Sequence, residues 1–179
     1  MRVIAGSARG VPLAVPRDRG TRPITDRVKE TLFGILGERV LDARVLDLYA
    51  GSGAIGIEAL SRGAASAVFV ERARQAVATL RDNLSRTRVQ GQAEVVAGDV
   101  VRWLASAHPE PRFELAFLDP PYEERDIVAP LERLVPILAP GATVVVKHFW
   151  RTQMPPIEGL RPWRERRFGE TALTFLEVP

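Results

Sequence analysis

The sequence predicts an α/β fold, a doubly wound and mostly parallel sheet of seven strands with helices on both faces. Three observations carry that expectation. From Val45 onward short apolar runs alternate with amphipathic stretches. A glycine-punctuated turn, Gly51-Ser52-Gly53-Ala54-Ile55-Gly56, joins the first run to a helical pattern. The two final extended segments, 163–168 and 171–178, are separated only by Gly169-Glu170. The alternation is that of successive β-α-β units, the turn that of a strand opening into a helix N-terminus, and the ending that of an antiparallel hairpin. Together they describe a Rossmann-like sheet.

A length of 179 residues with 46% hydrophobic content suits one compact unit, divided here into an arm over 1–20 and a body over 21–179. The absence of cysteine excludes disulfides and thiolate metal sites, and two histidines, His108 and His148, are too few for a metal cluster. No metal is expected. No run of eighteen apolar residues occurs and the first residues do not read as a signal peptide, so a cytoplasmic protein without a membrane partner is expected. Nothing demands a dimer, which leaves a monomer.

Taken in order, Arg2–Ala5 and Val11–Val15 read as two short strands around the turn Gly6-Ser7-Ala8-Arg9-Gly10. A hairpin of this size must dock on the body to be stable. It serves either as an edge-covering flap or as an arginine-bearing arm for a phosphate backbone. Thr25 is placed as an N-cap with Asp26 in the first turn, and Val28, Leu32, Ile35 and Leu36 share one face of a helix stopping near Gly37. The N-terminus of that helix is expected over the cofactor pocket. Strands are predicted at 45–49, 66–71, 93–97, 113–118 and 142–148, with helices near 54–62, 73–88, 100–106 and 126–138. Residues 163–168 and 171–178 form the closing hairpin.

Charge is uneven. Residues 1–29 hold seven cations (Arg2, Arg9, Arg17, Arg19, Arg22, Arg27, Lys29) against two acids, an excess of five. Residues 147–168 hold six against two, an excess of four, while 45–146 hold ten against thirteen. Basic ends around a mildly acidic core suit a polyanionic substrate. Because only Lys29 and Lys147 are lysines, codon bias explains the arginine content as readily.

In a parallel sheet, ligands bind outside the carboxyl ends of the strands. Those ends hold Asp47 to Gly53, then Glu71, then Asp99, then Asp119-Pro120-Pro121-Tyr122. The spacing Gly51-x-Gly53-x-x-Gly56 matches the dinucleotide fingerprint, and Glu71, eighteen residues past Gly53, is placed for a ribose diol. These fit NAD or S-adenosylmethionine equally. Asp99 is placed either to accept from an adenine amine or to cap the helix that follows. Asp119-Pro120-Pro121-Tyr122 separates the two cofactors. Its prolines donate no N–H, so the turn offers a carboxylate, bare carbonyls and an aromatic ring. Hydride transfer has no use for that set, whereas an exocyclic amine on a flat base does, with Tyr122 stacking on the ring.

The Asp119-Pro120-Pro121-Tyr122 motif resembles the catalytic motif of S-adenosylmethionine-dependent methyltransferases that act on exocyclic base amines. Asp47-Leu48-Tyr49-Ala50-Gly51-Ser52-Gly53 resembles their cofactor motif. More narrowly, the chain resembles the RsmD-type guanine-N2 methyltransferases of 16S ribosomal RNA, with a class I methyltransferase fold. The resemblance runs through Arg2-Val3-Ile4-Ala5-Gly6, Arg9-Gly10, Arg22 to Phe33, Leu46 to Gly63 and Arg167-Phe168-Gly169-Glu170-Thr171. Family members often carry Thr at the place of Ile24 and Asn at that of Gly34.

The resemblance implies roles for particular residues. Gly51, Ser52 and Gly53 wrap the methionine end of S-adenosylmethionine, with Asp47 near its amino group. Glu71 holds the ribose, and Asp99 with the Val100 backbone holds the adenine. Asp119, Pro120 and Tyr122 receive the target guanine, and S-adenosylhomocysteine is the product. Arg9, Arg17, Arg19, Arg22 and Arg27 are the candidates for gripping 16S ribosomal RNA, expected within a small-subunit assembly particle. The rivals are adenine-N6 methylation of DNA or RNA, a NAD-dependent oxidoreductase, and a non-catalytic RNA-binding module.

Overall fold

The computed structural model describes residues 1–16, 24–106, 113–121 and 127–179. Arg17, Arg19, Arg22, His108 and Tyr122 lie outside the described residues. Seven strands form one sheet: β1 (Arg44–Leu48), β2 (Ser66–Glu71), β3 (Ala93–Ala97), β4 (Phe113–Leu118), β5 (Leu138–Phe149), β6 (Arg161–Phe168) and β7 (Thr171–Glu177). The helices are α1 (Asp26–Leu36), α2 (Ala54–Ser61), α3 (Arg74–Thr87), α4 (Val100–Ala105) and α5 (Val128–Leu134). Strand order is β3-β2-β1-β4-β5-β7-β6. The five strands from β3 to β5 pair in parallel, and β7 and β6 close the sheet antiparallel.

Alternation along the central strands builds two cores. Val45, Leu115, Phe117 and Val145 face α1, α2 and α3, while Leu46, Leu48, Ala116, Leu118, Val144 and Val146 face α4 and α5. A period of two on strands covered from both sides gives this split. Val28, Leu32 and Leu36 of α1 are buried as the spacing predicts, but Ile35 is only half-buried, while Phe33, its ring 6.1 Å from that of Phe117, and Lys29, which the spacing puts off the apolar face, are fully buried. Thr25 caps the helix by accepting from the Val28 N–H at 3.4 Å.

Three elements differ from expectation. The helix expected over 126–138 ends at Leu134 and tightens into a 3₁₀ turn at Val135–Ile137, where Pro136 supplies no N–H to continue it. Strand β5 therefore begins at Leu138 rather than 142. The N-terminal pair reduces to a single antiparallel bridge, Arg2 with Pro12. Its outer N–H groups bond to α2 and α3 instead. Ile4 and Ala5 donate to the Glu58 carboxylate at 2.9 and 3.0 Å, Ala8 to Ser61 Oγ at 2.9 Å, and Ala14 to Asn83 Oδ1 at 2.8 Å. Gly6 makes this contact possible: a Cβ there would lie 1.6 Å from the Ser61 carbonyl oxygen.

Beneath that contact lies a buried ion pair. Lys29 Nζ donates to Glu58 Oε2 at 3.2 Å and to the Arg2 carbonyl, and Arg62 Nε reaches Glu58 Oε1 at 2.8 Å. Both Lys29 and Glu58 are fully buried, so their charges are compensated by these bonds and by the Ile4 and Ala5 N–H groups on Glu58 rather than by solvent. The N-terminal segment, α1 and α2 are thus locked into one piece on the face of the sheet that carries the glycine turn.

Candidate active site

The carboxyl ends of β4, β1, β2 and β3 are stitched together by main-chain bonds. Asp119 N donates to Leu48 O at 3.3 Å, Ala50 N to Val70 O at 3.1 Å, and Gly98 N to Glu71 O at 3.0 Å. The four polar stations anticipated along the chain therefore occupy neighbouring strand ends. Leaving β1, the chain turns sharply at Tyr49, a non-glycine residue with φ 60°. Such left-handed backbone outside glycine stores strain of order 1–2 kcal/mol, and it marks the start of the turn.

Asp47 is buried and accepts from Gly56 N at 2.9 Å. Gly56 is required there, since a Cβ would meet the Phe69 ring at 2.3 Å and the Asp47 carboxylate at 3.0 Å. Burial pushes the Asp47 carboxyl up to about 8 against that hydrogen bond, and the charges of Asp119 and Glu71 push the same way. The charges of Asp119 and Glu71 are thus felt at Asp47, which keeps its proton at neutral pH.

Glu71 is tied on both oxygens, Oε2 accepting from Gly51 N at 2.9 Å and Oε1 from Ala73 N at 2.8 Å. Gly53 N donates to Ala50 O at 2.8 Å. Two N–H groups of the glycine turn are therefore satisfied within the protein rather than aimed outward, as half-buried donors must be when the fold offers acceptors. Asn83 Nδ2 donates to Ser52 O at 2.9 Å and to Ala14 O at 3.0 Å, fixing the turn from below. Asp99 caps α4, its Oδ1 accepting from Arg102 N at 2.9 Å, and Val100 is buried behind it. The other Asp99 oxygen leaves acceptor capacity at the β3 end.

At β4, Asp119 meets a side chain that motif reasoning passed over. Lys147 Nζ donates to both Asp119 oxygens, at 2.7 and 2.8 Å. Burial pushes the Asp119 carboxyl above its ordinary value, and the Lys147 ammonium opposes it. Asp119 is thereby held as an oriented acceptor. A signal for this residue existed in composition. The chain has only two lysines, and both are buried in ion pairs with acids. A compact ammonium on a flexible stem suits such a carboxylate. Asn83 carried a signal as well, being a polar residue on the buried stripe of Val77, Leu80 and Leu84.

Of the proposed RNA-binding arginines only Arg9 and Arg27 lie among the described residues, and these two stand apart. Arg27 lies at the N-terminal end of α1 and lines a cavity of ≈ 480 Å³ with Thr25, Lys147 and Arg167. This puts α1's N-terminus on the rim next to Asp119. Arg9 is exposed on the turn docked against Ser61, the far end of α2 from the glycine turn. His148, with Nδ1 2.8 Å from Phe149 O and Nε2 2.8 Å from Thr174 Oγ1, belongs to the sheet.

A family described as conserved hypothetical protein 95 matches residues 1–177. A Bacillus subtilis protein named as a candidate rRNA methyltransferase, YlbH, is 38% identical over 98% of this chain and 97% of its own. The Escherichia coli ribosomal RNA small subunit methyltransferase D is 43% identical over 68% of this chain, a match spanning 60% of that protein. Among solved structures, an Escherichia coli protein described as a candidate methyltransferase, yhhF, superposes with a TM-score of 0.88 at 35% identity, covering 99% of this chain and 97% of that one. With the seven-stranded sheet and its antiparallel end, these matches establish the class I methyltransferase fold, and the chain belongs to the RsmD-type ribosomal RNA methyltransferase family.

Proposed function

We propose that this chain methylates ribosomal RNA, transferring a methyl group from S-adenosylmethionine to the exocyclic N2 amine of a guanine in the small-subunit 16S RNA. One observation carries the reading. The Asp119 N–H bond to Leu48 O sets the acceptor-only Asp119-Pro120-Pro121 turn one strand from the glycine turn. The relative named as a small-subunit methyltransferase supplies the substrate class.

The donor set fits the cofactor. Glu71 and Asp119 present acceptors and negative charge, and Asp47 adds its own on releasing its proton, a set that a ligand carrying an ammonium, a sulfonium and a ribose diol complements. A dinucleotide's pyrophosphate would instead bring anionic charge into this cluster, where the Gly51 and Gly53 N–H groups already have acceptors. Bound, S-adenosylmethionine supplies a methyl group activated on sulfur, so the protein's work is positioning. Asp47 faces the amino group, Gly51, Ser52 and Gly53 shape the wall, Glu71 takes the ribose, and Asp99 with the Val100 backbone takes the adenine.

Guanine N2 is a poor nucleophile because its lone pair is delocalised into the ring. Asp119 and the Pro120 carbonyl accept its two N–H bonds and favour a pyramidal nitrogen. These bonds strengthen as positive charge develops on N2. Each Asp119 oxygen bonded to Lys147 retains a second lone pair for this purpose. As the N2–carbon bond forms and the sulfur–carbon bond breaks, the excess proton passes to Asp119 or to water. The base reaches the site unstacked, with Tyr122 assigned its face. Arg9, Arg17, Arg19, Arg22 and Arg27 are assigned to phosphates. We also infer that residues 1–20 act as an arm on a body over 21–179, and that the enzyme works without metal. It acts as a cytoplasmic monomer on a small-subunit assembly particle. Among the described residues no helix is long and apolar enough to cross a membrane.

The test is methyl transfer from labelled S-adenosylmethionine to unmodified small-subunit RNA and particles. Asp119→Ala is expected to lower the rate by about 10²–10³-fold, the magnitude for losing one transition-state hydrogen-bonding group, while still binding S-adenosylhomocysteine. An unchanged rate would contradict the role given to Asp119.

A further inference from the structure

We propose that the rim between the N-terminal end of α1 and the β6–β7 turn is the seat of the RNA strand flanking the target base. Arg27 and Arg167 grip its phosphates there, and Trp150 supplies a stacking surface. This rests on the reading of the chain as an RNA-modifying enzyme and adds a second jaw to it, from the basic stretch 147–168 that the N-terminal arginines do not include.

The register of the sheet puts the jaw in place. Phe149 pairs with Thr171 and His148 with Ala172, so the turn after β6 lies at the carboxyl end of β5, beside Lys147. Lys147 holds Asp119 on one side and lines the ≈ 480 Å³ cavity on the other. The opposite walls come from Thr25 and Arg27 at the start of α1 and from Arg167 and Phe168 at the end of β6. A strand entering this cavity therefore approaches Asp119 from the adjoining wall.

The chemistry of the walls selects a single-stranded nucleic acid. The Arg167 guanidinium lies 3.6 Å from the centre of the Trp150 ring, and Arg151 lies over the same ring at 4.8 Å. Arg167 Nε donates to Gly169 O at 2.8 Å, which fixes the plane and leaves the terminal nitrogens as a fork for phosphate oxygens. Trp150 is half-buried, and its main-chain N–H donates to Glu170 O at 2.9 Å, tying the end of β5 to the β6–β7 turn. Among the described residues no carboxylate pairs with Arg27, Arg151, Arg164, Arg166 or Arg167. Arginine fork, indole and uncompensated charge together are what a phosphate backbone with unstacked bases requires. Arginines on β6 could serve only to keep an edge strand from pairing with another chain. That role would need neither a cavity nor a stacked tryptophan at the turn.

The experiment is a fluorescence-anisotropy titration of a labelled 16S ribosomal RNA transcript, over a series of salt concentrations. It compares the wild-type protein, Arg27→Gln/Arg167→Gln, Trp150→Leu and, as a charge-matched control, Arg81→Gln/Arg133→Gln. Thermal shift with S-adenosylhomocysteine confirms that each variant is folded. The first pair is expected to lose at least about tenfold in affinity. It should also lower the slope of log K against log salt by about 1.4, two contacts at about 0.7 each for a single strand. Trp150→Leu should weaken binding several-fold without changing the slope. Affinity and slope equal to wild type, or equal effects in the control pair, would overturn the proposal. The titration is repeated with unmodified small subunits, and a pair indifferent on both would overturn the proposal. Arginine-dependent RNA binding without methyl transfer would uphold this site and remove the methyltransferase reading, whereas methyl transfer to small subunits with RNA affinity indifferent to the pair would remove this site alone.

Discussion

At the residue scale, two carboxylates, one buried and one half-buried, have opposite electrostatic support, and each yields a prediction. Among the described residues no cation offsets the burial of Asp47, which pushes its carboxyl up to about 8. Its folded-state value lies above its unfolded one, so between roughly 4 and 8 the folded protein holds a proton the unfolded chain has released. Stability from this group is thus present at low pH and lost as pH rises through about 8. A cationic ligand prefers the carboxylate form. Affinity for S-adenosylmethionine should therefore rise from pH 7 to pH 9, read by calorimetry, and Asp47→Asn should flatten that dependence. Asp119 differs in having the Lys147 ammonium on both oxygens. Removing the cation in Lys147→Met leaves burial unopposed, so Asp119 protonates at higher pH. Methyl transfer should fall by about 10²-fold at pH 7 and recover as pH is raised. A uniform loss at all pH values would mean that Lys147 has only a packing role.

At the element scale, the fold was legible wherever a segment's own pattern decides its structure. Thr25 capped α1, the glycine turn opened α2, and strands β1 to β4 fell where apolar runs and glycines placed them. What was hidden depends on partners distant in sequence. The N-terminal hairpin kept one bridge because Glu58 and Ser61, more than fifty residues away, offered its N–H groups better acceptors. The Asp119–Lys147 contact spans 28 residues and two neighbouring strands, so no local spacing announces it. The Lys29–Glu58 pair is of the same kind and is testable. Lys29→Met leaves the Glu58 charge buried with less compensation, and breaking such a pair costs about 3–5 kcal/mol. The melting temperature should drop by about 10 °C in a domain of this size. Gly6→Ala should loosen the same corner, seen as faster amide exchange at Ile4, Ala5 and Ala8.

At the scale of the whole molecule, one rim of the sheet brings a group of acids and basic flanks side by side. Asp47, Glu71 and Asp119 sit at the strand ends, and Arg27 and Arg167 stand on the adjoining cavity wall. The two sites should respond to salt differently. RNA affinity should fall steeply between 50 and 200 mM salt, whereas affinity for S-adenosylhomocysteine, set in a half-buried pocket, should change little. The central claim is that the acceptor turn at β4 directs a methyl group to a guanine amine in small-subunit RNA. Incubating the protein with S-adenosylmethionine and unmodified small subunits, then digesting the RNA to nucleosides for mass spectrometry, tests it most directly. N2-methylguanosine at a single position, absent with Asp119→Ala, is the expected result. Methyladenosine, or no methylated nucleoside at all, would contradict it.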